Sequence, residues 1–260
     1  MTHSTHAFIP DPRNERIQID IDGALFPRNE AKVSVFDSGF VLGDGVWEGL
    51  RVHPGPDGKG VIAFLDRHMK RLYDGARTLD FKMNVTPEAL KNRLYACLDA
   101  NGAHEGVHIR LMVTRGVKAT PYQDPRATIS PPTIVIIPEF KTPVPETASA
   151  GKKLFTVHVR RGYPDTQDQK LNSHSKLNCI MACIQATKAG ADEALMLDPH
   201  GFVATCNSTH FFIVKDGELW TSSTVRDMML GGSASFTERG EHDLKGIDGR
   251  WRLFSVSGAA

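Results

Sequence analysis

The segment VFDSGFVLGDGVWEGLR, residues 35–51, decides how this 260-residue chain is interpreted. It contains four glycines, which separate one apolar, strand-like run from another. Glycines at this density indicate that some other group approaches the backbone closely, because a side chain at those positions would be in the way. The segment therefore predicts either a tight turn or the wall of a functional site.

Composition and charge exclude several classes of protein. Hydrophobic residues make up 40% of the chain and charged residues 23%, which is typical of a globular protein with a sizeable core. The 31 Lys and Arg residues balance 30 Asp and Glu residues, so the net charge of +1 favours neither nucleic acid nor an acidic membrane as a partner. Four cysteines and no long apolar run predict a cytoplasmic protein without a disulfide framework or a membrane span. The histidine and cysteine spacings predict no metal site.

The first half of the chain predicts a small α+β domain over residues 1–140. Asp22-Gly23 favours a tight hairpin turn. Apolar residues spaced three and four apart predict a helix over residues 66–79, and Thr86 is a predicted N-cap for a second helix that ends near Asn101-Gly102. Strands are predicted over residues 18–21, 24–26, 32–36, 108–114 and 133–137.

The second half predicts a further mixed domain after a linker at residues 141–151. A helix that Gly190 closes presents four large apolar residues on one face: Leu177, Ile180, Met181 and Ile184. Asp216-Gly217 is the predicted turn of the last strand pair. Strands are predicted over residues 154–160, 193–198, 202–206, 211–214 and 218–221.

Four segments together resemble the class IV aminotransferases, the branched-chain and D-amino-acid transaminase family that uses pyridoxal 5'-phosphate (PLP). They are residues 35–51, DRHMKRL at 66–72, AGADEALMLD at 189–198 and GFVATCNSTHFF at 201–212, and the resemblance extends over about residues 17–221. It implies a two-domain α+β fold whose C-terminal cofactor domain, residues 152–221, is truncated. It also implies a homodimer that transfers an amino group between a branched-chain or similar apolar amino acid and a 2-oxo acid.

The resemblance assigns roles to three arginines. Arg71 matches the arginine that binds the cofactor phosphate, and a bidentate guanidinium suits phosphate oxygens. We expect its removal to weaken PLP binding and to leave folding intact. Arg110 matches a position that binds the substrate carboxylate in branched-chain members. Arg51 is a second candidate for the wall of the same substrate pocket.

Two positions depart from the family pattern. Asn172 stands where relatives carry the lysine that forms an imine with PLP, and Lys170 and Lys176 flank it. We favour Lys176, because a side chain at the start of a helix leans towards the N-terminus and can reach the place of a lysine at 172. Thr205 stands where relatives place a glutamate against the pyridine nitrogen, and a hydroxyl cannot keep that nitrogen protonated as a carboxylate does.

The tail, residues 222–260, resembles the C-terminal end of class III adenylate/guanylate cyclase domains. It lacks the Gly-Ile-Thr-Arg turn expected at the cofactor phosphate, so we expect a foreign segment that leaves a sheet edge uncovered and impairs catalysis. Within the tail, a hairpin over residues 241–254 is predicted, with its turn at Asp248-Gly249. The alternatives are an aminodeoxychorismate-lyase-like PLP eliminase and a non-catalytic relative that keeps the fold as a binding module.

Overall fold

The computed structural model describes residues 10–142, 149–222, 225, 234–244 and 247–257, which form two units. The first unit holds the described residues 10–142 and 171–175, and the second holds the remaining described residues. The expected linker at 141–151 falls partly outside this description, since residues 143–148 are not included.

The first unit is built on a six-stranded antiparallel sheet with the order β2-β1-β6-β5-β3-β4. The strands are β1 (Gln18–Ile21), β2 (Ala24–Pro27), β3 (Gly45–Pro54), β4 (Gly60–Ile62), β5 (Val107–Thr114) and β6 (Ile134–Phe140). The helices are α1 (Ser38–Leu42), α2 (Leu65–Thr78) and α3 (Pro87–Ala100). The predicted hairpin at Asp22-Gly23 and both predicted helices are confirmed.

The core of this unit forms between the sheet and the two long helices. Alternate residues of β3 and β5 face inwards because successive strand side chains point to opposite faces. Thr86 caps α3 as predicted, since its Oγ1 accepts a hydrogen bond from the Ala89 amide at 3.2 Å. The buried side chains include Val46, Leu50, Val52, Ile109, Leu111 and Val113 from the strands and Met69, Leu72, Ala76, Leu90, Leu94 and Leu98 from the helices.

The glycine-rich segment is packed closely by the chain itself. A Cβ at Gly45 would lie 2.5 Å from the Val113 carbonyl oxygen, and one at Gly39 would meet the Thr114 side chain. The strand predicted over residues 32–36 is wrong. The apolar alternation is present, but no strand of the described residues pairs with this segment, and Val35 is exposed. Pairing begins only at Asp37, which forms an isolated bridge with Val117.

The second unit contains two small sheets and one long helix, α4 (Leu177–Lys188). One sheet has the order β7-β8-β9, with β7 and β8 parallel, and the other has the order β10-β11-β13-β12. The predicted Asp216-Gly217 turn joins β10 to β11. The strands are β7 (Leu154–Arg160), β8 (Glu193–Leu197), β9 (Val203–Cys206), β10 (Phe212–Lys215), β11 (Glu218–Ser222), β12 (Ser235–Leu244) and β13 (Ile247–Ser257).

Helix α4 has its predicted position, and its buried side carries small residues. Its large apolar residues Leu177, Ile180, Met181 and Ile184 are exposed, whereas Ala182 and Ala186 are buried. The alanines pack with Val157 and Met196 of the neighbouring strands, where small side chains permit a close approach of helix and sheet. The shared apolar face that the spacing predicts is therefore the exposed side of the helix.

The tail departs from expectation at two points. Strand β13 pairs with β11 from Leu219–Val256 to Ser222–Leu253, so this edge of β11 is covered and not open. The hairpin itself is confirmed, because β12 pairs antiparallel with β13. Its turn is misplaced in the prediction, since Leu244 pairs with Ile247 while Asp248 and Gly249 lie within β13.

All four cysteines are free thiols, and two are deeply buried. Burial raises the pKa of Cys97 in the first unit, and that of Cys206 in the second, to about 11. Among the helices of the described residues, none is long and apolar enough to cross a membrane.

Candidate active site

A buried carboxylate, that of Glu48, holds the side chain of Arg71. Glu48 lies on the inward face of β3 and is fully buried. Its Oε1 accepts a hydrogen bond from Arg71 Nε at 2.7 Å, and its Oε2 accepts one from Arg71 Nη2 at 2.5 Å. His68 Nδ1 lies 2.7 Å from Oε2. These contacts compensate a charge that would otherwise be costly to remove from water.

The interactions within this cluster stabilise the charged forms of both Glu48 and Arg71. Burial acts to raise the pKa of Glu48, but the hydrogen bonds from Arg71 and His68 outweigh it, so the pKa lies below its ordinary value. The hydrogen bond to Glu48 raises the pKa of Arg71 above its ordinary value. The cluster is therefore a stable ion pair at neutral pH.

Arg71 retains one donor group that the ion pair does not use. Its side chain is 35% exposed, and within the described part of the chain its Nη1 makes no hydrogen bond. The guanidinium is planar and fixed by Glu48, so the unused donors point in a defined direction. This geometry can accept an anion such as a phosphate.

Arg110 lies on β5 and stacks on an aromatic ring. Its guanidinium carbon Cζ lies 3.8 Å from the centre of the Trp47 ring, within the range of a cation–π contact. The Trp47 indole nitrogen donates a hydrogen bond to the Ser173 carbonyl oxygen at 3.0 Å, which fixes the ring. Burial lowers the pKa of Arg110, so this cation is partly desolvated and suited to a carboxylate ligand.

Arg51 and Arg110 share one face of the sheet, whereas Glu48 lies on the other. Trp47, Gly49 and Arg51 alternate with Glu48 along β3, and Gly49 is directly opposite Arg110 on β5. Arg51 Nη1 donates a hydrogen bond to the Lys141 carbonyl oxygen at 2.9 Å. The two arginines that are predicted to bind the substrate thus lie on the same face of the sheet. The carboxylate of Glu48, which holds Arg71, lies on the opposite face.

The segment around Asn172 is attached to the start of β3. The Trp47 amide donates to the Asn172 carbonyl oxygen at 2.8 Å, and the His174 amide donates to the Gly45 carbonyl oxygen at 3.0 Å. An isolated bridge joins Val46 to Ser173. The backbone at the expected lysine position is therefore well fixed, but the side chain there is an amide without a nucleophilic amine.

The two flanking lysines belong to the second unit. Lys170 is exposed, and its backbone amide donates to Asp168 Oδ1 at 2.9 Å. Lys176 is half-buried at the N-cap of α4, as expected for a residue that begins the helix. Lys176 is the more enclosed of the two candidate amines.

Thr205 is fully buried on β9, and its hydroxyl is already engaged. Oγ1 donates to the Thr209 carbonyl oxygen at 3.0 Å and lies 3.2 Å from His210 Nδ1. Because the hydroxyl has a single hydrogen, the contact with His210 requires Nδ1 to carry its own proton. Thr205 can therefore accept a further hydrogen bond but cannot supply a negative charge.

Sequence reasoning missed two residues of the ion-pair cluster, Glu48 and His68. The signal for Glu48 was available in the alternation of β3, which places a charged residue between the buried Val46 and Leu50. A charge at such a position requires a partner. His68 had no comparable signal, because its orientation depends on how α2 packs on β3.

Comparisons with known proteins agree on one family. The model of the class IV amino-transferases matches residues 45–232. The branched-chain-amino-acid aminotransferase-like protein 2 of Arabidopsis thaliana is 38% identical over 213 residues, which are 82% of this chain but only 37% of that protein. This chain thus spans little more than a third of that relative's length.

Two solved structures extend the comparison. The T.th. branched-chain amino acid aminotransferase, complexed with N-(5'-phosphopyridoxyl)-L-glutamate, superposes with a TM-score of 0.74 at 28% identity, and the match covers 84% of this chain and 70% of that enzyme. The 4-amino-4-deoxychorismate lyase of Pseudomonas aeruginosa gives a TM-score of 0.61 at 28% identity, covering 77% of this chain and 68% of the lyase.

Proposed function

Because the chain belongs to the class IV aminotransferase family, we propose that it binds PLP and transfers an amino group between a branched-chain or similar apolar amino acid and a 2-oxo acid. The observation that carries this proposal is the family match over residues 45–232, which includes Arg71 and Arg110. The phosphopyridoxyl complex of the T.th. enzyme supports the choice of cofactor.

The charged groups of PLP and substrate fit residues of this chain. Arg71, fixed by Glu48, binds the phosphate through its unused Nη1 edge. Arg110, stacked on Trp47, orients the substrate carboxylate, and Arg51 adds positive charge to the same face. PLP supplies an aldehyde and an electron-withdrawing ring, and Lys176 is our candidate for the amine that reacts with that aldehyde and moves the proton at Cα.

We also propose that catalysis is impaired in this chain. Asn172 offers no amine at the family's lysine position, so a flanking lysine must replace it. Thr205 donates its only proton to the Thr209 carbonyl oxygen and brings no negative charge to the pyridine nitrogen. A neutral partner there weakens the ring as an electron sink, which lowers the rate of proton removal from the substrate.

Two alternatives follow from the same family. The similarity to the Pseudomonas lyase supports a PLP eliminase, and the departures at Asn172 and Thr205 support a non-catalytic module that keeps the fold.

We further propose a homodimer in the cytoplasm, a partial cofactor domain at residues 152–221 and a foreign tail at 222–260. Size-exclusion chromatography with light scattering tests the dimer directly.

The identity of the reactive lysine is tested by trapping it. Purified protein is incubated with PLP, reduced with borohydride and digested, and the labelled peptide is identified by mass spectrometry. We expect the pyridoxyl group on Lys176 and an absorbance band of the PLP–lysine adduct that Lys176→Ala abolishes.

Lys170→Ala is the matched control and should keep both the label and the band. A label on Lys170 would reject Lys176 as the reactive residue. A protein that takes up no PLP at concentrations that saturate relatives would instead support the non-catalytic module.

A further inference from the structure

The contact between Glu48 and Arg71 determines which donors of the guanidinium remain for a ligand. Arg71 Nε and Nη2 donate to the two carboxylate oxygens at 2.7 and 2.5 Å, so Glu48 occupies one edge of the guanidinium side-on. The planar group has a second edge, between Nη1 and Nη2, whose hydrogens point away from the carboxylate. An anion that binds Arg71 must therefore approach along this second edge.

His68 holds the carboxylate from another side. Its Nδ1 lies 2.7 Å from Glu48 Oε2 and 3.5 Å from Arg71 Nη2. An ionised carboxylate can only accept hydrogen bonds, so Nδ1 carries a proton and donates it to Oε2. A protonated Nδ1 cannot accept a hydrogen bond from Arg71, and its contact with Glu48 leaves the Nη1–Nη2 edge unobstructed. The carboxylate is thus fixed by both residues of α2.

Arg71 depends on this support for a defined direction. Its side chain is long and 35% exposed, whereas Glu48 is fully buried on β3 between the buried Val46 and Leu50. A long side chain that is not held samples many rotamers, and this freedom is lost when a ligand binds. A donor that is already held in its binding orientation avoids that loss. Glu48 therefore extends the rigidity of the sheet to the exposed end of Arg71.

We propose that Glu48 is a positioning residue for the cofactor phosphate, which directs the Nη1–Nη2 edge of Arg71 towards it, and that His68 keeps Glu48 in place. This inference rests on the proposed binding of PLP and adds how the phosphate is recognised. The ion pair has no net charge, which reduces its long-range attraction for an anion. The direction of the hydrogen bonds from Arg71 then carries the recognition.

The variant Glu48→Asp separates orientation from charge. It keeps the negative charge beside Arg71 but draws the carboxylate towards β3 by one methylene group. Either Arg71 follows the carboxylate and its second edge withdraws from the phosphate, or Arg71 stays and loses its bidentate partner. Both outcomes weaken the contact with the phosphate, whereas recognition by charge alone would be unaffected.

The measurement compares PLP with pyridoxal, the same aldehyde without the phosphate. Absorbance titration of the purified full chain gives the Kd of each compound, and the original chain should bind PLP more tightly. Glu48→Asp should reduce this preference by about tenfold or more, because a hydrogen bond to a charged group contributes about that much to affinity. The Kd for pyridoxal should stay nearly unchanged, since pyridoxal has no group that binds this edge of Arg71.

Asp20→Asn is the matched control for a general loss of stability. Asp20 is a buried carboxylate on β1 that forms an ion pair with Arg93 of α3 in the same unit. The substitution weakens a comparable ion pair elsewhere on the sheet. It should destabilise the unit and leave the preference for PLP over pyridoxal as it is in the original chain.

Three results would overturn the inference. If the original chain prefers PLP and Glu48→Asp keeps that preference, Glu48 does not position Arg71, and the proposed function stands without it. If Glu48→Asp weakens PLP and pyridoxal equally, the role of Glu48 is structural only. If the original chain binds PLP no more tightly than pyridoxal, Arg71 is not a phosphate ligand, and this part of the proposed function falls together with the inference.

Discussion

Because Arg71 is paired with the buried Glu48, substitution of Arg71 affects folding stability as well as phosphate binding. The expectation that Arg71→Ala leaves folding intact treats this residue as a surface clamp, but its removal would leave the carboxylate of Glu48 buried without its main partner. Breaking a fully buried pair costs roughly 3–5 kcal/mol. Because Arg71 is 35% exposed, we expect about 2 kcal/mol at pH 7.

The pH dependence of this cost has a definite sign. The pKa of Glu48 is lowered in the folded state, so the pair contributes stability above the ordinary value of 4.5 and loses it as the pH falls through the lower folded value. The destabilisation by Arg71→Ala should therefore shrink below about pH 4.5, because the original pair loses its stabilising contribution there as Glu48 takes up a proton.

Urea unfolding of both proteins between pH 7 and pH 3 measures this change. Arg67→Ala, an exposed neighbour on α2, should alter the unfolding free energy by no more than about 0.5 kcal/mol at any pH. A cost for Arg71→Ala that stays constant with pH would show that the ion pair does not carry it.

Among the site residues, the sequence is most informative where the role of a residue follows from the chemistry of its own side chain. Arg71 and Arg110 are cations wherever they lie, so the family pattern suffices to nominate them. The partners that orient them, Glu48 and Trp47, follow from strand register and helix packing. Asn172 shows the limit, since its amide excludes the usual nucleophile without indicating which lysine replaces it.

At the scale of elements, local patterns predict position better than orientation. Helix α3 follows from Thr86 and its apolar stripe, because the cap and the spacing act within one helix. The stripe of α4 is equally clear, but which face is buried depends on the sheet it meets. Small residues such as Ala182 allow the closer approach, and this preference belongs to the packed pair and not to the helix alone.

The orientation of α4 makes a direct prediction about stability. Ala182→Leu inserts a large side chain where Ala182 is fully buried against β7 and β8, and this overpacking should destabilise the protein by about 2 kcal/mol. Met181→Lys, one residue away on the exposed face, should cost no more than about 0.5 kcal/mol. Thermal unfolding followed by circular dichroism distinguishes the two, and equal losses would mean that α4 is rotated.

At the scale of the whole molecule, the tail takes part in the second unit. Leu253 and Phe254 of β13 are almost fully buried, and Leu253 packs with Trp220 and Cys206. The resemblance seen in the sequence ends near Thr221, whereas the family model matches as far as residue 232. The pairing of β13 with β11 satisfies backbone groups along an edge of β11 that would otherwise be open.

This pairing predicts that the tail stabilises the second unit. Leu253→Ala should lower the unfolding free energy by about 3 kcal/mol, since it removes a buried side chain and leaves a cavity beside Trp220. Arg252→Ala, an exposed neighbour on the same strand, should change it by at most about 0.5 kcal/mol. Urea unfolding tests both, and a neutral Leu253→Ala would mean that β13 contributes no packing energy.

The two buried thiols give each unit its own reporter. Cys97 and Cys206 are shielded and protonated at neutral pH, so a thiol reagent reaches each one only when the structure around it opens. The alkylation rate of each sulfur then reports the opening free energy of its own surroundings. Peptide mapping resolves both alkylation rates in one sample, so their comparison shows whether the two units open together or one before the other.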